Sequence, residues 1–406
     1  MREPNCRNIV PINNLWQVAI DFIGRIDHKQ IEYNIKLAYV VLKVCKIEGM
    51  QQSRIKKMVF LSCFNDVGKL SKRDDGGDTS IETYLFLKYF SPVKEFAEVL
   101  LHNVNATKRF GLESYGKTFA MCKKYVKYLN DMNDKDAAYR KLMVDPKDYR
   151  PVDVIALTKL VMKTDILYEI NSMHYKTIVY NFISKMIYGF RERNQFITML
   201  SSLFEMYNKT TLAHSKSTAI IAYRLAGLLG VKTERRKKIY IAGLCHDLGK
   251  VSIPLRILDK PDKLTDNEYR VMKKHVTYTR EILEGNMDYD IVEIAYRHHE
   301  RLDGTGYPNK VKGEHMTIEQ KILQVADVIS ALVGKRSYKE AWDTSVVIEI
   351  LDKNVMEGKM DKQVVDTFKN NQRKVLRDAN EVIEAANKKY EVIEKERYQL
   401  FRGIDL

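Results

Sequence analysis

RRKKIYIAGLCHDLGKV, residues 235–251, runs from a basic start through an apolar segment into His246 and Asp247, then meets Gly249. Glycine is a poor helix former and Pro254 follows shortly, so HDLGK at 246–250 is predicted to end a helix. Helical spacing continues outside it: Ile220, Ile221, Arg224, Leu225 and Leu228 mark an apolar-sided helix upstream. With 19 glycines and 8 prolines in 406 residues, turn formers are too sparse for an all-β fold. The chain is read as all-α.

That length allows two domains, each with its own core. A net charge of +15 favours an anionic partner: nucleic acid, an acidic membrane surface or a small phosphorylated ligand. Much of this charge is Lys and Arg scattered among Glu and Asp on helices, which is solvated surface. No helix-turn-helix or zinc-finger pattern organises the basic residues, so nucleic acid is not the expected partner. Five scattered cysteines without a CxxC pair suit a reducing cytoplasm and give no thiolate metal site. Asp21 and Arg25 interrupt the apolar stretch after Trp16, which argues against a signal peptide. No apolar run reaches bilayer length, so a soluble, cytoplasmic protein without a membrane partner is expected.

Six of the nine histidines lie between His214 and His315. Five stand in an order that invites chemistry: His214; His246 followed by Asp247; His275; and the pair His298 and His299. Asp327 follows in an apolar helical setting, ILQVADVISAL. Histidine is the commonest metal ligand, and a lone one in a helical protein is more often surface or satisfied core. That bland reading is kept for His28, His102, His174 and His315. For the ordered set, a carboxylate such as Asp247 can bridge two cations while imidazoles fill the remaining positions. Two cations held together lower the pKa of a shared water and polarise a phosphoryl oxygen, the requirements of phosphodiester hydrolysis. A histidine and carboxylate set suits iron or manganese, and also zinc or nickel.

HHERLDGTGYP at 298–308, downstream of HDLGK, resembles the HD-GYP phosphodiesterases, the branch of the HD superfamily that degrades cyclic di-GMP. LRILDKPDKLTDNEYRVMKKH (255–275), KILQVADVISAL (321–332) and KRSYKEA (335–341) stand in family order, so the likeness covers about residues 190 to 370. The resemblance implies an all-α fold of tandem HD-type helical domains, with the HD-GYP domain and a C-terminal helix over 190–406. It implies two divalent metal ions, iron first and manganese as the alternative. His214, His246, Asp247 and Asp327 would ligate one; His275, His298 and His299 the other, with Asp247 bridging. Asp247 and Lys250 carry the catalytic role, Lys250 facing the scissile phosphate. Tyr307, Arg336 and Lys339 resemble the family's substrate contacts. The implied reaction is hydrolysis of cyclic di-GMP to linear pGpG and on to GMP. The alternatives are a phosphodiesterase for cyclic GMP-AMP and a catalytically weak receptor that signals by contact. The tight loop at Gly304, Gly306 and Pro308, braced by an Arg301–Asp303 ion pair, borders the site and in the family is linked to diguanylate cyclase partners.

Two positions depart from the family pattern. Ser337 stands where proline is common, and Thr210 where some members place a glutamate that ligates a third metal. Two metals, not three, are therefore expected.

The first half reads as a decayed copy. RIKKMVFLSCFNDVGKL (54–70) aligns without gaps to RRKKIYIAGLCHDLGKV, with Asn65 in place of His246. Upstream, His28 precedes a helix as His214 does; downstream, KYFSP echoes KKHVT. Residues 1–185 are expected to be a degenerate HD-like domain, regulatory or dimerising, and an unrelated helical input domain is the alternative. A homodimer is the expected assembly. The charged stretch after about 370 is expected to be a surface or coiled helix.

Overall fold

The structure, a computed structural model, describes Pro4, Cys6 and residues 9–71, 79–101, 112–144, 149–185, 190–207, 214–333 and 343–402. The described elements are helices, with one isolated bridge pairing Asp303 and Lys312. The fold is all-α.

Two compact units form, one from residues 1–26 with 193–392, the other from 27–192 with 393–406. The sequence-based boundaries, 1–185 and 190–406, thus differ at both ends of the chain. The first helix, Ile12–Ile26, belongs with the later residues because its apolar face is buried there. Trp16 is buried edge-on against Phe196, with ring centroids 5.5 Å apart. Arg25 reaches Glu281 at 3.0 Å and lies over the Tyr278 ring. The last helix, Lys362–Phe401, ends in the other unit. There the buried Glu396 accepts hydrogen bonds from Tyr84, Lys88 and Tyr89 at 2.9, 2.6 and 2.6 Å. Arg397 pairs with Glu82, also buried. A charged helix end tolerates burial only with such partners.

In the 193–392 unit, helix His214–Leu228 packs between Thr233–Cys245 and Ile318–Val333. The approach to Thr233–Cys245 is close because Gly243 has no side chain: a Cβ there would lie 2.8 Å from Ala219 Cα. After Cys245 the chain tightens into a turn at Leu248–Ser252 that lies on helix His275–Leu283. Gly249 makes this possible, since a Cβ would sit 2.0 Å from the His275 carbonyl oxygen. Its N–H donates to Thr279 Oγ1, which in turn donates to the His246 carbonyl, both at 2.9 Å. Any side chain at 249 would separate the two segments.

The 27–192 unit repeats this device. Helix Gln52–Cys63 ends before a short turn, Val67–Ser71, in which the Gly68 N–H donates to Thr83 Oγ1 at 2.9 Å. A Cβ at Gly68 would meet the Thr79 carbonyl oxygen and the Thr83 nitrogen, as one at Gly249 would meet those of His275 and Thr279. Thr79 therefore holds the place of His275, and the KYFSP stretch does not. Counting back equally from the positive-φ glycines Gly49 and Gly230 puts Tyr33, not His28, opposite His214. His102 lies outside the described residues.

Candidate metal centre

Three histidines of the cluster are each placed by a helix end. His246 follows Thr233–Cys245, His298 lies just past Tyr289–Tyr296, and His275 follows Asp266–Met272, a helix started by a Thr265–Glu268 capping box. The last carbonyls of a helix lack intrahelical partners. In all three cases the histidine Nδ1 takes one, three residues back: Gly243 at 2.7 Å, Met272 at 2.8 Å and Ala295 at 2.7 Å. Nδ1 must carry the proton to donate to a carbonyl, so in the neutral ring Nε2 is left as a bare lone pair. Helix-end geometry thereby sets three imidazoles in one ligand tautomer.

These lone pairs converge. His275 Nε2 lies 3.5 Å from His298 Nε2. The Asp247 carboxylate stands among them, 3.3 Å from His246 Nε2, 3.5 Å from His275 Nε2 and 3.9 Å from both His298 Nε2 and His214 Nε2. Asp327 approaches from helix Ile318–Val333, 3.1 Å from His214 Nε2, 3.5 Å from His246 Nε2 and 4.0 Å from His299 Nδ1. One turn further along that helix, Ser330 Oγ meets His214 Nδ1 at 3.1 Å. Three overlapping sets have ligand atoms within 4.8 Å of one another: His275, His298 and His299; His214, His246 and Asp247; His246, His298 and Asp327.

The donor set fits a cation. Two facing imidazole lone pairs repel unless a proton or metal lies between them. His246 Nε2 and Asp247 Oδ1 are buried without a hydrogen-bond partner among the described residues, an arrangement costly to leave unmade. Burial lowers the pKa of His214, of His298 well below its usual value, and of His275 and His299 to about 3 and about 4. All four are neutral at pH 7. His246 differs: burial lowers it, but Asp247 and Asp327 overcome this and hold it up at about 10. A proton there competes with a metal for one lone pair. Burial works against the charges of Asp247 and Asp327. Even so, His246 with Lys250 holds the first, and His214 with His246 the second, well below the carboxylate range.

Lys250 Nζ sits 2.5 Å from Asp247 Oδ2. Tyr307 lies over the His299 ring, centroids 4.8 Å apart, and burial pushes its phenol pKa up, so the hydroxyl keeps its proton. The loop carrying Tyr307 is not braced by an Arg301–Asp303 ion pair. Asp303 instead accepts from the Thr305 N–H and hydroxyl at 2.9 and 2.8 Å. Buried Glu300 takes the Asn309 and Val311 N–H groups at 2.6 and 2.9 Å. The reason is satisfaction of backbone: a tight loop leaves N–H groups unpaired, and adjacent carboxylates supply acceptors. Glu300, Thr279 and Ser330 position the site and were not singled out from sequence. Their spacing from the histidines was the available signal. Arg336, Lys339 and Thr210 lie outside the described residues.

Comparison with known proteins agrees with this geometry. The model of the HD domain matches residues 198–364. Over 388 residues the chain is 24% identical to the 3'3'-cGAMP-specific phosphodiesterase 1 of Vibrio cholerae serotype O1, covering 87% of this chain and 89% of that one. Over 164 residues it is 39% identical to the cyclic di-GMP phosphodiesterase response regulator RpfG of Xanthomonas campestris pv. campestris, covering 40% of this chain and 43% of that one. A crystal structure of a cyclic GMP-AMP specific phosphodiesterase of V. cholerae, V-cGAP3, shares the fold with a TM-score of 0.54 at 14% identity, covering 89% of this chain and 97% of that one. The segment holding the histidine cluster is an HD domain. Residues 198–364 are of the HD superfamily, and the HDLGK and HHERLDGTGYP motifs within them resemble its HD-GYP branch.

Proposed function

We propose that this chain is a metal-dependent phosphodiesterase acting on a cyclic purine dinucleotide. The observation that carries the reading is the convergence of three imidazole Nε2 atoms and two ionised carboxylates at one buried point. His214, His246, Asp247 and Asp327 would hold one divalent metal; His275, His298 and His299 a second, with Asp247 shared. Iron is the first expectation and manganese the alternative. Bound there, the metals supply Lewis acidity and lower the pKa of water.

The chain's own residues do the rest. Asp247, held ionised, links the two ligand sets and orients Lys250 through their 2.5 Å contact. The Lys250 ammonium faces the scissile phosphate and offsets its charge. Tyr307, kept protonated, donates to a phosphate oxygen or stacks on a purine. Arg336 and Lys339 pair with the remaining phosphate charge. The product is a linear dinucleotide, pGpG when the substrate is cyclic di-GMP, with GMP after a second cleavage.

Two substrates compete. The sequence motifs point to cyclic di-GMP. The relative that matches along most of both chains is named for 3'3'-cGAMP, which favours the mixed dinucleotide. A receptor that binds without cleavage is disfavoured by the retained set of seven ligands. The 27–192 unit, with Asn65, Thr79 and Tyr33 in the places of three histidines, is read as a degenerate HD-like domain without a metal site, with regulation or homodimer formation as its role; contact with a diguanylate cyclase belongs to the loop at Gly304, Gly306 and Pro308 in the other unit. The test is anaerobic, iron- or manganese-loaded protein incubated with cyclic di-GMP, 3'3'-cGAMP and cyclic di-AMP, with products separated. No cleavage of any of the three would refute the reading.

A further inference from the structure

The 27–192 unit keeps a cavity where the other unit keeps its histidine cluster. It has a volume of about 70 Å³, and its lining includes Asn65, Asp66, Thr83, Val99, Phe119 and Lys123. Asn65 and Asp66 occupy the places of His246 and Asp247, and Thr83 that of Thr279. Asn65 is 1% exposed, and its Nδ2 is buried with no hydrogen-bond partner among the described residues. Its backbone carbonyl is already taken by Asn34 at 2.8 Å. The unmet need is therefore an acceptor for the side-chain amide.

The charges nearby select what brings that acceptor. Lys123 Nζ lies 3.1 Å from Asp66 Oδ1, and Lys69 Nζ lies 3.3 Å from Asp66 Oδ2. Two ammonium groups thus hold both oxygens of the carboxylate that would otherwise ligate a cation. The three groups sum to one positive charge, and with the Asn65 amide they offer donors rather than ligands. A divalent metal is repelled; an oxyanion is attracted. Val99 and Phe119 close one side with apolar surface, which strengthens such a pairing by excluding water. Size narrows the choice. On the measure in which one water needs about 10–15 Å³, 70 Å³ takes about five waters, the heavy-atom count of a phosphate.

We propose that this cavity binds a small tetrahedral oxyanion of the inorganic phosphate class, held by Asn65 Nδ2 and Lys123 Nζ. The anion would take the place in this unit's fold that the histidine cluster takes in the other. The proposal does not depend on the substrate of the other unit.

The test uses the full chain stripped of metal by chelation and radiolabelled inorganic phosphate in equilibrium dialysis. Wild-type protein should bind one phosphate per chain that Asn65→Leu removes, because leucine fills the space and offers no donor. Lys123→Met, on the more solvent-accessible side, should weaken the same phosphate by about tenfold or more, the effect expected of a lost charge-assisted contact. Circular dichroism checks that both variants fold, and any phosphate held at the Asp247 cluster persists in both. Glycerol 3-phosphate should compete poorly, since its carbon chain exceeds the cavity. The proposal is overturned if wild type binds no phosphate at millimolar concentration. It is equally overturned if both folded variants bind as wild type does, or if the ester competes as well as free phosphate.

Discussion

Asp247→Asn separates the metal centre from the fold that carries it. The carboxylate is 2% exposed and lies within 3.3 to 3.9 Å of four imidazole nitrogens. An amide of the same shape keeps one oxygen and loses the charge. At an effective dielectric of about 20 and a separation of about 4 Å, each unit of opposing charge is worth roughly 4 kcal/mol. At about 1.4 kcal/mol per decade, that is close to three powers of ten in affinity for each unit of metal charge left unmatched. The new Nδ2 can donate to a bare imidazole Nε2, but Lys250 and His246 lose a charged partner, so the metal-free fold is weakened as well. Metal content measured by mass spectrometry should fall to near zero. Affinity against a competing chelator should drop by about a thousandfold or more, and hydrolysis should vanish. The thermal midpoint of the metal-free variant should fall below that of metal-free wild type, and circular dichroism should show that it still folds. A variant that kept metal to within about tenfold of wild type would refute the bridging role of Asp247.

Trp16→Ala should destabilise the 193–392 unit by about 3–5 kcal/mol, because Trp16 is buried against Phe196; an unchanged denaturation midpoint would remove the first helix from that core. For metal-free protein, His275 and His299 titrate at about 3 and about 4, below the solution value of about 6.5. The unfolded chain takes up those protons first, so their contribution to stability is present above pH 6.5 and is lost as pH falls towards 4 and then 3. Urea denaturation across that window should show stability decreasing with acid, and a flat profile would contradict neutral burial. Metal analysis of freshly purified protein should give two ions per chain, and Thr210→Glu should raise the count; three ions in wild type would defeat the two-metal reading. Arg336→Ala and Lys339→Ala should each weaken substrate binding by about 1.5–3 kcal/mol with metal content unchanged, and unaltered substrate affinity in both would return them to solvated surface.

Much of the site was legible because its chemistry is local. HDLGK and HHERLDGTGYP carry a helix stop, adjacent ligand types and the glycines that let the backbone turn, each a short-range property. The order of His214, His246, His275, His298, His299 and Asp327 likewise needed no coordinates. What sequence could not give was the protonation of the imidazoles. That depends on each Nδ1 meeting a carbonyl three residues back, which requires the helix to end at that residue and not one turn later. Alignment by residue type also placed His28 and KYFSP wrongly, since backbone contacts at Gly68 and Thr83 fix the register, and these follow packing rather than identity.

By itself the sequence determined a helical fold and the candidate ligands, because helix periodicity and the donor chemistry of histidine and aspartate are properties of neighbouring residues. Only the tertiary structure decided that Ile12–Ile26 is buried with residues far along the chain and that the end of Lys362–Phe401 belongs to the other unit. An apolar face announces that it must be covered, but not by what. Trp16 could have met any apolar surface until Phe196 was brought to it. In the same way, Lys123 was one basic residue among many until folding set it 3.1 Å from Asp66. Such pairings join segments remote in sequence, and their energy depends on a distance that no local pattern encodes.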